Sequence, residues 1–576
     1  MKKIGIGYEN YKRIIDDDCY YIDKTILIEN IINMGGMVTL FTRPRRFGKT
    51  LALSMLRTFF EIEYDRDGNV VDNRRYFDGK KIMEASLSIL DKMGKYPVIN
   101  LSLKSAKQPS FKDASIKMME EITKEFARHD YLRDSELLSS EEKSLFSSYC
   151  SILNLYDMKS DEVFAENLRR YSTSLNLLSA LLKKHHGTNV IILLDEYDVP
   201  LENAYYAGFY DPMIGFIRSL FESALKTNDS LEFAAVTGCL RISKESIFTG
   251  LNNLKVNSIR NLTFSEAFGF TQDEVSKMLI DYGLENRIEE AKEWYDGYLF
   301  GNQEIYNPWS IIKYVDDISS GKQFPEPYWA NTSSNLIIKD MVYNADADMK
   351  QELDRLISGG AIEKKIHEDI TYADIHENED NLWNFLFFTG YMKKVSERFY
   401  DNDIYVTMTI PNAEIESVFK NQIRGWFEKR VKESDRSALH RAILEGDTDG
   451  MENYLCDLLG KTISVFDSDE GFYHGFFLSL LYGVQGYDVR SNREEGDGRP
   501  DIVLYPQRPK DKAIIFELKN RKKFNEMQDG IEEAFDQIRK KKYEEGILND
   551  GYIGSVSYGV CFCKKTCIIQ KYDARP

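Results

Sequence analysis

A short apolar run that leads through a glycine–lysine–threonine turn into a helical pattern constrains the fold of this chain more than any other feature. Residues 37–41 are Met-Val-Thr-Leu-Phe, which predicts a buried strand, and the apolar spacing over 49–61 predicts a helix. The segment Thr42–Thr50, which joins them, reads TRPRRFGKT. A strand that turns directly into a helix is the first part of a β–α–β unit, in which the strands are parallel. The sequence therefore predicts a parallel sheet covered by helices.

The pattern of apolar runs predicts three regions. Strands are expected at 97–103, 190–194 and 231–236, with helices at 114–127 and 213–225. The pattern is mostly helical from about residue 271, and the last region has helices at 470–482 and 525–543 and strands at 501–505, 513–518 and 554–569. We predict a mixed α/β chain with a mainly parallel P-loop domain at 1–270, a helical linking domain at 271–460 and a small α/β domain at 461–576.

Length and composition exclude several classes of protein. A chain of 576 residues is too long for one compact core, and no tract approaches the ~20 apolar residues of a membrane span. The seven cysteines are odd in number and mostly scattered, which argues against a disulfide scaffold and is typical of a reducing cytoplasm. Cys561, Cys563 and Cys567 have no nearby histidine and favour small core residues over a zinc site. We expect a cytoplasmic protein without a membrane partner.

The distribution of charge restricts where a nucleic acid could bind. The chain has 75 basic and 93 acidic residues, and a net charge of −18 is unfavourable for contact with phosphates. Residues 461–576, however, contain 19 basic and 19 acidic residues, so the whole net charge lies in residues 1–460. Basic clusters at 519–523 and 539–542 make the last region the candidate nucleic-acid surface, although two solvated charged faces are an equal alternative.

The turn after the first strand has the ending of a phosphate-binding loop. Such a loop aims backbone N–H groups at an anion, a lysine reaches the β and γ phosphates, and a hydroxyl binds Mg²⁺. Gly48, Lys49 and Thr50 supply these features, while Arg43 stands where the first glycine of G-x-x-x-x-G-K-[ST] is expected. A chance match is the alternative for the motif taken alone.

Two further strand ends carry polar residues suited to the same site. The strand at 190–194 is followed by Asp195, which could hold the metal, and Glu196, which could orient or deprotonate the attacking water. The strand at 231–236 is followed by Thr237, which could sense the γ phosphate, and later by Arg241, which could stabilise developing charge. The alternatives are an ordinary strand exit, a capping hydroxyl and a surface cation.

These landmarks resemble those of the AAA-ATPase-like proteins that carry a carboxy-terminal PD-(D/E)XK nuclease domain. The resemblance rests on residues 21–25 (YIDKT), 43–50 (RPRRFGKT) and 194–198 (LDEYD), and on Thr237-Gly238 followed by Arg241. The resemblance spans nearly the whole chain. The loop of this family also lacks the first glycine of G-x-x-x-x-G-K-[ST], so Arg43 at that position agrees with the resemblance. The resemblance implies that ATP binds at this loop, with Arg45, Arg46 and Phe47 as part of the site beside residues 48–50.

The last region contains a pattern suited to phosphodiester hydrolysis. Asp501 precedes one predicted strand, and Glu517 and Lys519 lie two residues apart on the next, so their side chains share one face. Two carboxylates could hold Mg²⁺ while the lysine positions water or neutralises charge. A preceding helix offers Glu470 as a further acid, with His474 one turn later; a packed histidine is the alternative reading of His474.

The same pattern resembles the PD-(D/E)XK nuclease signature, which is short and occurs by chance on ordinary strand pairs. The resemblance implies a restriction-endonuclease-like fold, and on the later helix Gln537 and Tyr543 approaching the active site or the nucleic acid. The leading hypothesis is therefore an ATPase whose nucleotide state regulates a Mg²⁺-dependent nuclease acting on DNA. The rival is a nucleotide-dependent switch or scaffold whose tail binds nucleic acid without cleaving it. An oligomer is compatible with this class, but the sequence identifies no interface.

Overall fold

The computed structural model of the chain is described over ranges separated by several gaps. The described residues are 1–151, 160–226, 228–241, 247–248, 252–329, 338, 341, 347–368, 372, 375, 379–460, 470–491, 500–508 and 510–572, without the side chains of 347, 379, 424, 426–428, 430–433 and 470–471. Backbone contacts divide the chain into two units. The first unit comprises 1–331 and 361–416, and the second comprises 332–360 and 417–576. The finer three-domain division stays a prediction.

A five-stranded parallel sheet forms the centre of the first unit. Its strands, in the spatial order β2-β3-β4-β1-β5, are β1 (Val38–Thr42), β2 (Val98–Ser102), β3 (Val190–Asp195), β4 (Leu231–Gly238) and β5 (Leu254–Asn257). Every residue of β1 and β3 is buried, as expected for a parallel sheet with both faces covered. The predicted parallel sheet is confirmed, and β5 is an additional edge strand whose short Leu-Lys-Val-Asn sequence carries little apolar signal.

Helices cover this sheet and form much of the chain that connects its strands. They are α1 (Tyr11–Asp16), α2 (Ile26–Met34), α3 (Lys49–Phe60), α4 (Leu87–Leu90), α5 (Phe111–Arg128), α6 (Ser140–Tyr149), α7 (Asp161–Ser172), α8 (Ser174–His186), α9 (Val199–Ala207) and α10 (Tyr210–Phe221). The predicted helices at 49–61, 114–127 and 213–225 correspond to α3, α5 and α10. Because α3 begins at Lys49, the glycine–lysine–threonine turn lies at a helix N-terminus.

The middle of the chain is rich in helices, as predicted, and also contains small sheets. The helices are α11 (Gln272–Asp281), α12 (Ile288–Tyr295), α13 (Pro308–Ser319), α14 (Ala347–Ile357), α15 (Glu379–Phe388), α16 (Ala413–Glu433), α17 (Ser437–Glu445) and α18 (Thr448–Gly460). The strands are β6 (Tyr298–Phe300), β7 (Gln303–Ile305), β8 (Ile362–Lys365), β9 (Lys393–Tyr400) and β10 (Asp403–Thr409). The sheet β8-β10-β9 was not predicted, because the edge strand β9 is mostly exposed and polar.

A mixed five-stranded sheet forms the carboxy-terminal part of the second unit. Its strands, in spatial order, are β11 (Tyr487–Ser491), β12 (Ile502–Pro506), β13 (Ala513–Asn520), β14 (Ser555–Cys563) and β15 (Thr566–Lys571). The pair β13–β14 is parallel and the other pairs are antiparallel. The helices are α19 (Glu470–Leu481), α20 (Met527–Lys541) and α21 (Tyr543–Asn549). The mixed α/β fold class is confirmed.

One predicted helix of this region is divided into two in the structure. The single helix expected at 525–543 is interrupted at Lys542. The backbone of Lys542 is left-handed, with φ of +50°, and separates α20 from α21.

In the ranges that the structure describes, no helix combines the length and the apolar character needed to cross a bilayer.

Candidate functional sites

Three strand ends of the parallel sheet meet around the carboxylate of Asp195. The loop after β1 enters α3, where Thr50 Oγ1 donates a hydrogen bond of 2.6 Å to Asp195 Oδ2. Thr237, near the end of β4, donates from Oγ1 to Asp195 Oδ1 at 2.5 Å. Because parallel strands present their carboxyl ends at one edge, residues of β3, β4 and the helix that follows β1 converge there. The structure thus brings together three of the residues singled out from the sequence.

Lys49 is folded back against its own loop. Its ammonium Nζ donates to the backbone carbonyls of Arg43 and Pro44, both at 2.9 Å, and lies 3.7 Å from Cys239 Sγ. The preceding Gly48 has φ of +80°, a left-handed conformation that side chains rarely adopt and that turns the chain into α3. The lysine is 6% exposed and lies beside the carboxyl end of the sheet.

Arg43, which replaces the expected glycine, is a buried structural cation. Its guanidinium donates to Asn257 Oδ1 at 2.6 Å and to the carbonyls of Asn257 at 2.8 Å and Phe264 at 3.2 Å. The group also lies over the rings of Phe268 and Phe300, and burial lowers the pKa of Arg43 to about 9. Arg43 therefore ties the start of the loop to β5 and the segment after it, a role that sequence reasoning missed.

Replacing Arg43 by methionine is expected to lower the free energy of unfolding by about 2–4 kcal/mol. Methionine has a similar length but removes the donors that satisfy Asn257 and the carbonyl of Phe264, and unpaired buried acceptors are costly. Urea unfolding followed by tryptophan fluorescence measures the change. The control is Arg66→Met, at an exposed position. Equal midpoints for the two variants would show that the buried guanidinium does not stabilise the loop.

The three loop residues implied by the family resemblance lie in different surroundings. Arg45 forms an ion pair with Glu202 of α9. Arg46 has a left-handed backbone with φ of +67°, donates to the carbonyl of Tyr328 at 3.0 Å and lies over the ring of Trp309. Phe47 is buried, and its ring packs against those of Tyr298 and Phe300.

Residues after β3 and β4 complete the surroundings of Asp195. Glu196 has φ of +51°, a strained conformation that is frequent at functional sites, and burial together with the charge of Asp195 raises the pKa of its carboxyl. Asp198 was not predicted; its Oδ2 accepts hydrogen bonds from the backbone N–H of Cys239 at 2.7 Å and of Leu240 at 3.2 Å. Asp198 thus holds the chain that follows Thr237.

Arg241 lies at the end of a described segment of the chain. It follows β4 by three residues and directly precedes residues 242–246, which lie outside the described part of the chain. The structure brings Thr50, Asp195 and Thr237 into direct contact, and places Lys49 and Glu196 at the same end of the sheet.

A second cluster lies on the mixed sheet of the second unit. Asp501 immediately precedes β12, and the antiparallel register of Ile502 opposite Phe516 brings Asp501 next to β13. The carboxylate of Asp501 accepts a hydrogen bond from the backbone N–H of Leu518 at 2.8 Å. Lys519 Nζ lies 3.2 Å from Glu517 Oε1. The predicted same-face arrangement of Glu517 and Lys519 is present beside Asp501.

Glu517 is the most electrostatically unusual residue of this cluster. Its side chain is fully buried, and burial together with the negative charge of Asp501 raises its pKa to about 7. Within the described residues, its Oε2 has no hydrogen-bond partner. A buried carboxylate oxygen without a partner is unfavourable unless a cation or donor satisfies it, so the pair Asp501–Glu517 fits a divalent cation.

Three observations bear on further metal ligands beside Asp501 and Glu517. Among the described side chains, no group of three or more His, Cys, Asp or Glu residues is arranged around one point. Glu470 is the first residue of α19, but its side chain lies outside the described atoms. His474 Nε2 lies 3.1 Å from both the carbonyl oxygen of Asp501 and the hydroxyl of Ser491, so the described contacts of His474 are structural.

The two residues implied for nucleic-acid contact reach this cluster from α20 and α21. Gln537 Oε1 accepts a hydrogen bond of 2.9 Å from Lys519 Nζ, and Gln537 Nε2 donates to Tyr543 OH at 3.3 Å. Burial raises the pKa of Tyr543 to about 12. The left-handed Lys542 turns the chain between the two helices and so presents Tyr543 towards Gln537.

The chain thus combines a parallel sheet that carries a phosphate-type loop with a mixed sheet that carries two carboxylates and a lysine. A family model described as predicted AAA-ATPase matches residues 5–248, and one described as the PD-(D/E)XK nuclease superfamily matches residues 468–572. The chain therefore carries an AAA-ATPase-like domain followed by a domain of the PD-(D/E)XK nuclease superfamily. The resemblance stated from the sequence motifs is confirmed.

A curated relative matches most of the length of this chain. It is an uncharacterized protein encoded in the 5′ region of vnfD in Azotobacter chroococcum mcd 1. The identity is 23% over 518 residues, which cover 87% of this chain and 87% of the relative.

Proposed function

We propose that the chain is an ATPase whose nucleotide state regulates a Mg²⁺-dependent nuclease acting on DNA. The nuclease part is carried by one observation above all: the unpartnered, buried oxygen of Glu517 lies in a cluster with Asp501 and Lys519. The ATPase part is supported by the contact of Thr50 and Thr237 with Asp195 at the helix N-terminus that follows β1.

At the proposed nucleotide site, each residue has a role suited to its position. Lys49 would exchange its two loop carbonyls for the β and γ phosphates, because a charged acceptor forms a stronger hydrogen bond than a neutral one. Thr50 and Asp195 would hold Mg²⁺, which neutralises phosphate charge when it is bound. Glu196 would orient or deprotonate the attacking water, and its raised pKa favours accepting a proton near neutral pH.

The remaining residues at this site would respond to the nucleotide rather than to the metal. Thr237, hydrogen-bonded to Asp195, would sense the presence of the γ phosphate, and Arg241 would stabilise charge that develops during transfer. Arg45 and Arg46 would add positive charge at the loop, although both form contacts within the protein. Phe47 supports the loop by packing in the core, with Gly48 making the turn.

At the proposed nuclease site, Asp501 and Glu517 would hold Mg²⁺, with Glu470 as a further acid. The bound cation would polarise the scissile phosphate and lower the pKa of water. Lys519 would position that water or neutralise developing charge, and Gln537 keeps its ammonium in place. Tyr543 and Gln537 would approach the nucleic acid from α20 and α21.

The experiment that tests this function is a cleavage assay with the full-length chain. Labelled single-stranded DNA, double-stranded DNA and RNA are incubated with Mg²⁺ or EDTA, each with and without ATP. We expect cleavage of DNA that requires Mg²⁺ and changes in rate with ATP. Binding without cleavage would favour the switch or scaffold, cleavage of RNA alone would contradict the DNA assignment, and an ATP-independent rate would contradict regulation.

We also propose a cytoplasmic location. All seven cysteines are free thiols, which a reducing compartment maintains.

A further inference from the structure

Two cysteines that are far apart in sequence face each other in the second unit. Cys456 lies on α18 and Cys567 on the edge strand β15, and their sulfur atoms are 3.9 Å apart. Both are free thiols. A disulfide requires sulfur atoms about 2.0 Å apart, so the two sulfur atoms must approach each other by roughly 2 Å for the bond to form.

The surroundings of Cys456 favour its thiolate over its thiol. Its Sγ accepts a hydrogen bond from the backbone N–H of Cys567 at 3.3 Å and lies 3.4 Å from Thr566 Oγ1. The hydrogen bonds from Cys567 and Thr566 lower the pKa of Cys456 to about 5. Cys456 is partly exposed, whereas Cys567 is 2% exposed, so a small oxidant reaches Cys456 first.

Two further groups face this pair, the carboxyl of Glu452 and the thiol of Cys561. Glu452, one turn earlier on α18, has its Oε1 engaged by the backbone N–H of Ile569 at 2.5 Å. Cys561, on β14, is buried and its pKa is raised to about 11 by burial, so it remains a neutral thiol. The backbone of Cys567 thus offers Cys456 Sγ both an N–H donor at 3.3 Å and, farther away at 3.7 Å, a carbonyl oxygen. The hydrogen bond with Cys456, together with burial, raises the pKa of Cys567 well above its usual range, so Cys567 is the protonated thiol of the pair.

We propose that Cys456 and Cys567 are a peroxide-oxidisable thiol pair, with Cys456 as the attacking thiolate and Cys567 as the resolving thiol. The Cys456 thiolate attacks one oxygen of hydrogen peroxide, the O–O bond breaks, and the leaving hydroxide takes a proton to become water. Cys456 is then a sulfenic acid. The sulfur of Cys567 attacks it, the S–S bond forms, the S–O bond breaks, and a second water carries away the thiol proton.

The consequence of oxidation would be a covalent link between α18 and β15. The two residues enclose a segment that contains α19 and strands β11–β14, so the link would close a long loop around the nuclease-like sheet. Closing a long loop reduces the freedom of the unfolded chain and stabilises the folded one. This inference does not depend on the proposed ATPase or nuclease activity.

The first test compares Cys456 with Cys150 in the full-length chain. Cys150 is also partly exposed, but burial raises its pKa, so it is a matched control with the opposite environment. At about pH 6.5, iodoacetamide should label Cys456 at least about 10-fold faster than Cys150, because only a thiolate reacts. Equal labelling rates would overturn the proposed thiolate.

The second test identifies the product of oxidation. After treatment with hydrogen peroxide and blocking of the remaining thiols, peptide mapping should find Cys456 linked to Cys567, with the link removed by dithiothreitol. The oxidised chain should have a higher thermal unfolding midpoint than the reduced chain. Recovery of both thiols in unmodified form, or links between chains through Cys456, would contradict the proposal.

Variants separate the roles of the two sulfur atoms. Cys567→Ser should stop the reaction at the sulfenic acid of Cys456, which dimedone traps, whereas Cys456→Ser should leave Cys567 unmodified. Cys150→Ser should form the link as the original chain does. If Cys567→Ser gave no dimedone adduct at Cys456 while its unfolding midpoint matched that of the reduced original chain, the attacking role of Cys456 would be wrong.

Discussion

Replacing Glu517 by glutamine is expected to reduce Mg²⁺-dependent cleavage by the full-length chain by at least about 100-fold, because even groups that only support a metal ligand contribute about 10–100-fold. Glutamine has the same shape as glutamate but lacks the charge that holds a divalent cation. Its amide oxygen could still accept the hydrogen bond from Lys519, so the fold should be preserved. Initial cleavage rates over a range of Mg²⁺ concentrations measure the effect.

The matched control is Glu532→Gln, at an exposed position on α20, which should cleave at the original rate. A pH series adds an independent check. Since burial and Asp501 raise the pKa of Glu517 to about 7, the carboxyl becomes protonated as the pH falls through that value and loses its affinity for a cation. Cleavage should therefore fall from about pH 8 to about pH 6. Unchanged cleavage by Glu517→Gln would remove this cluster from the reaction.

Replacing Lys49 by alanine is expected to weaken ATP binding by about 10- to 100-fold, because a hydrogen bond to a charged group contributes about 1.5–3 kcal/mol. The ammonium of Lys49, the first residue of α3, donates hydrogen bonds to two backbone carbonyls of its own loop. Titration with a fluorescent ATP analogue measures the dissociation constant, and hydrolysis of ATP should fall at least as much.

The control for this variant is Lys107→Ala, at an exposed position of the same unit, which should bind ATP as the original chain does. Thermal unfolding shows whether the loop remains folded when Lys49 is removed. A dissociation constant unchanged in a folded Lys49→Ala chain would contradict the phosphate-loop assignment. If Lys49→Ala lost ATP binding but cleaved DNA at the original rate, the assignments of both sites would stand, and the proposed regulation of cleavage by ATP would be contradicted.

Some of the geometry around the candidate sites follows from local sequence patterns. Glu517 and Lys519 share a face because strand side chains alternate, and this periodicity is readable in any strand. Lys49 begins a helix because a glycine in the left-handed conformation precedes it. The convergence of Thr50 and Asp195 follows from parallel strands, which present their carboxyl ends at one edge.

Other features depend on partners that are distant in sequence. Arg43 occupies a position where a glycine was expected, and its role is visible only when Asn257 and Phe264 are seen to receive its hydrogen bonds. The proximity of Cys456 to Cys567 likewise depends on how α18 packs on β15. A one-residue left-handed turn at Lys542 divided a helix whose sequence pattern was continuous.

The sequence alone determined the alternation of strands and helices, the phosphate-loop ending, the acidic strand end and the spacing of Glu517 and Lys519, since these arise from contacts between near neighbours along the chain. The tertiary structure decided which charged groups are buried and which residues contact them. Burial raises the pKa of Glu517 and makes Arg43 a structural cation, whereas hydrogen bonds from Cys567 and Thr566 lower the pKa of Cys456. These effects depend on solvent exclusion and on partners from distant segments, which a linear pattern does not record.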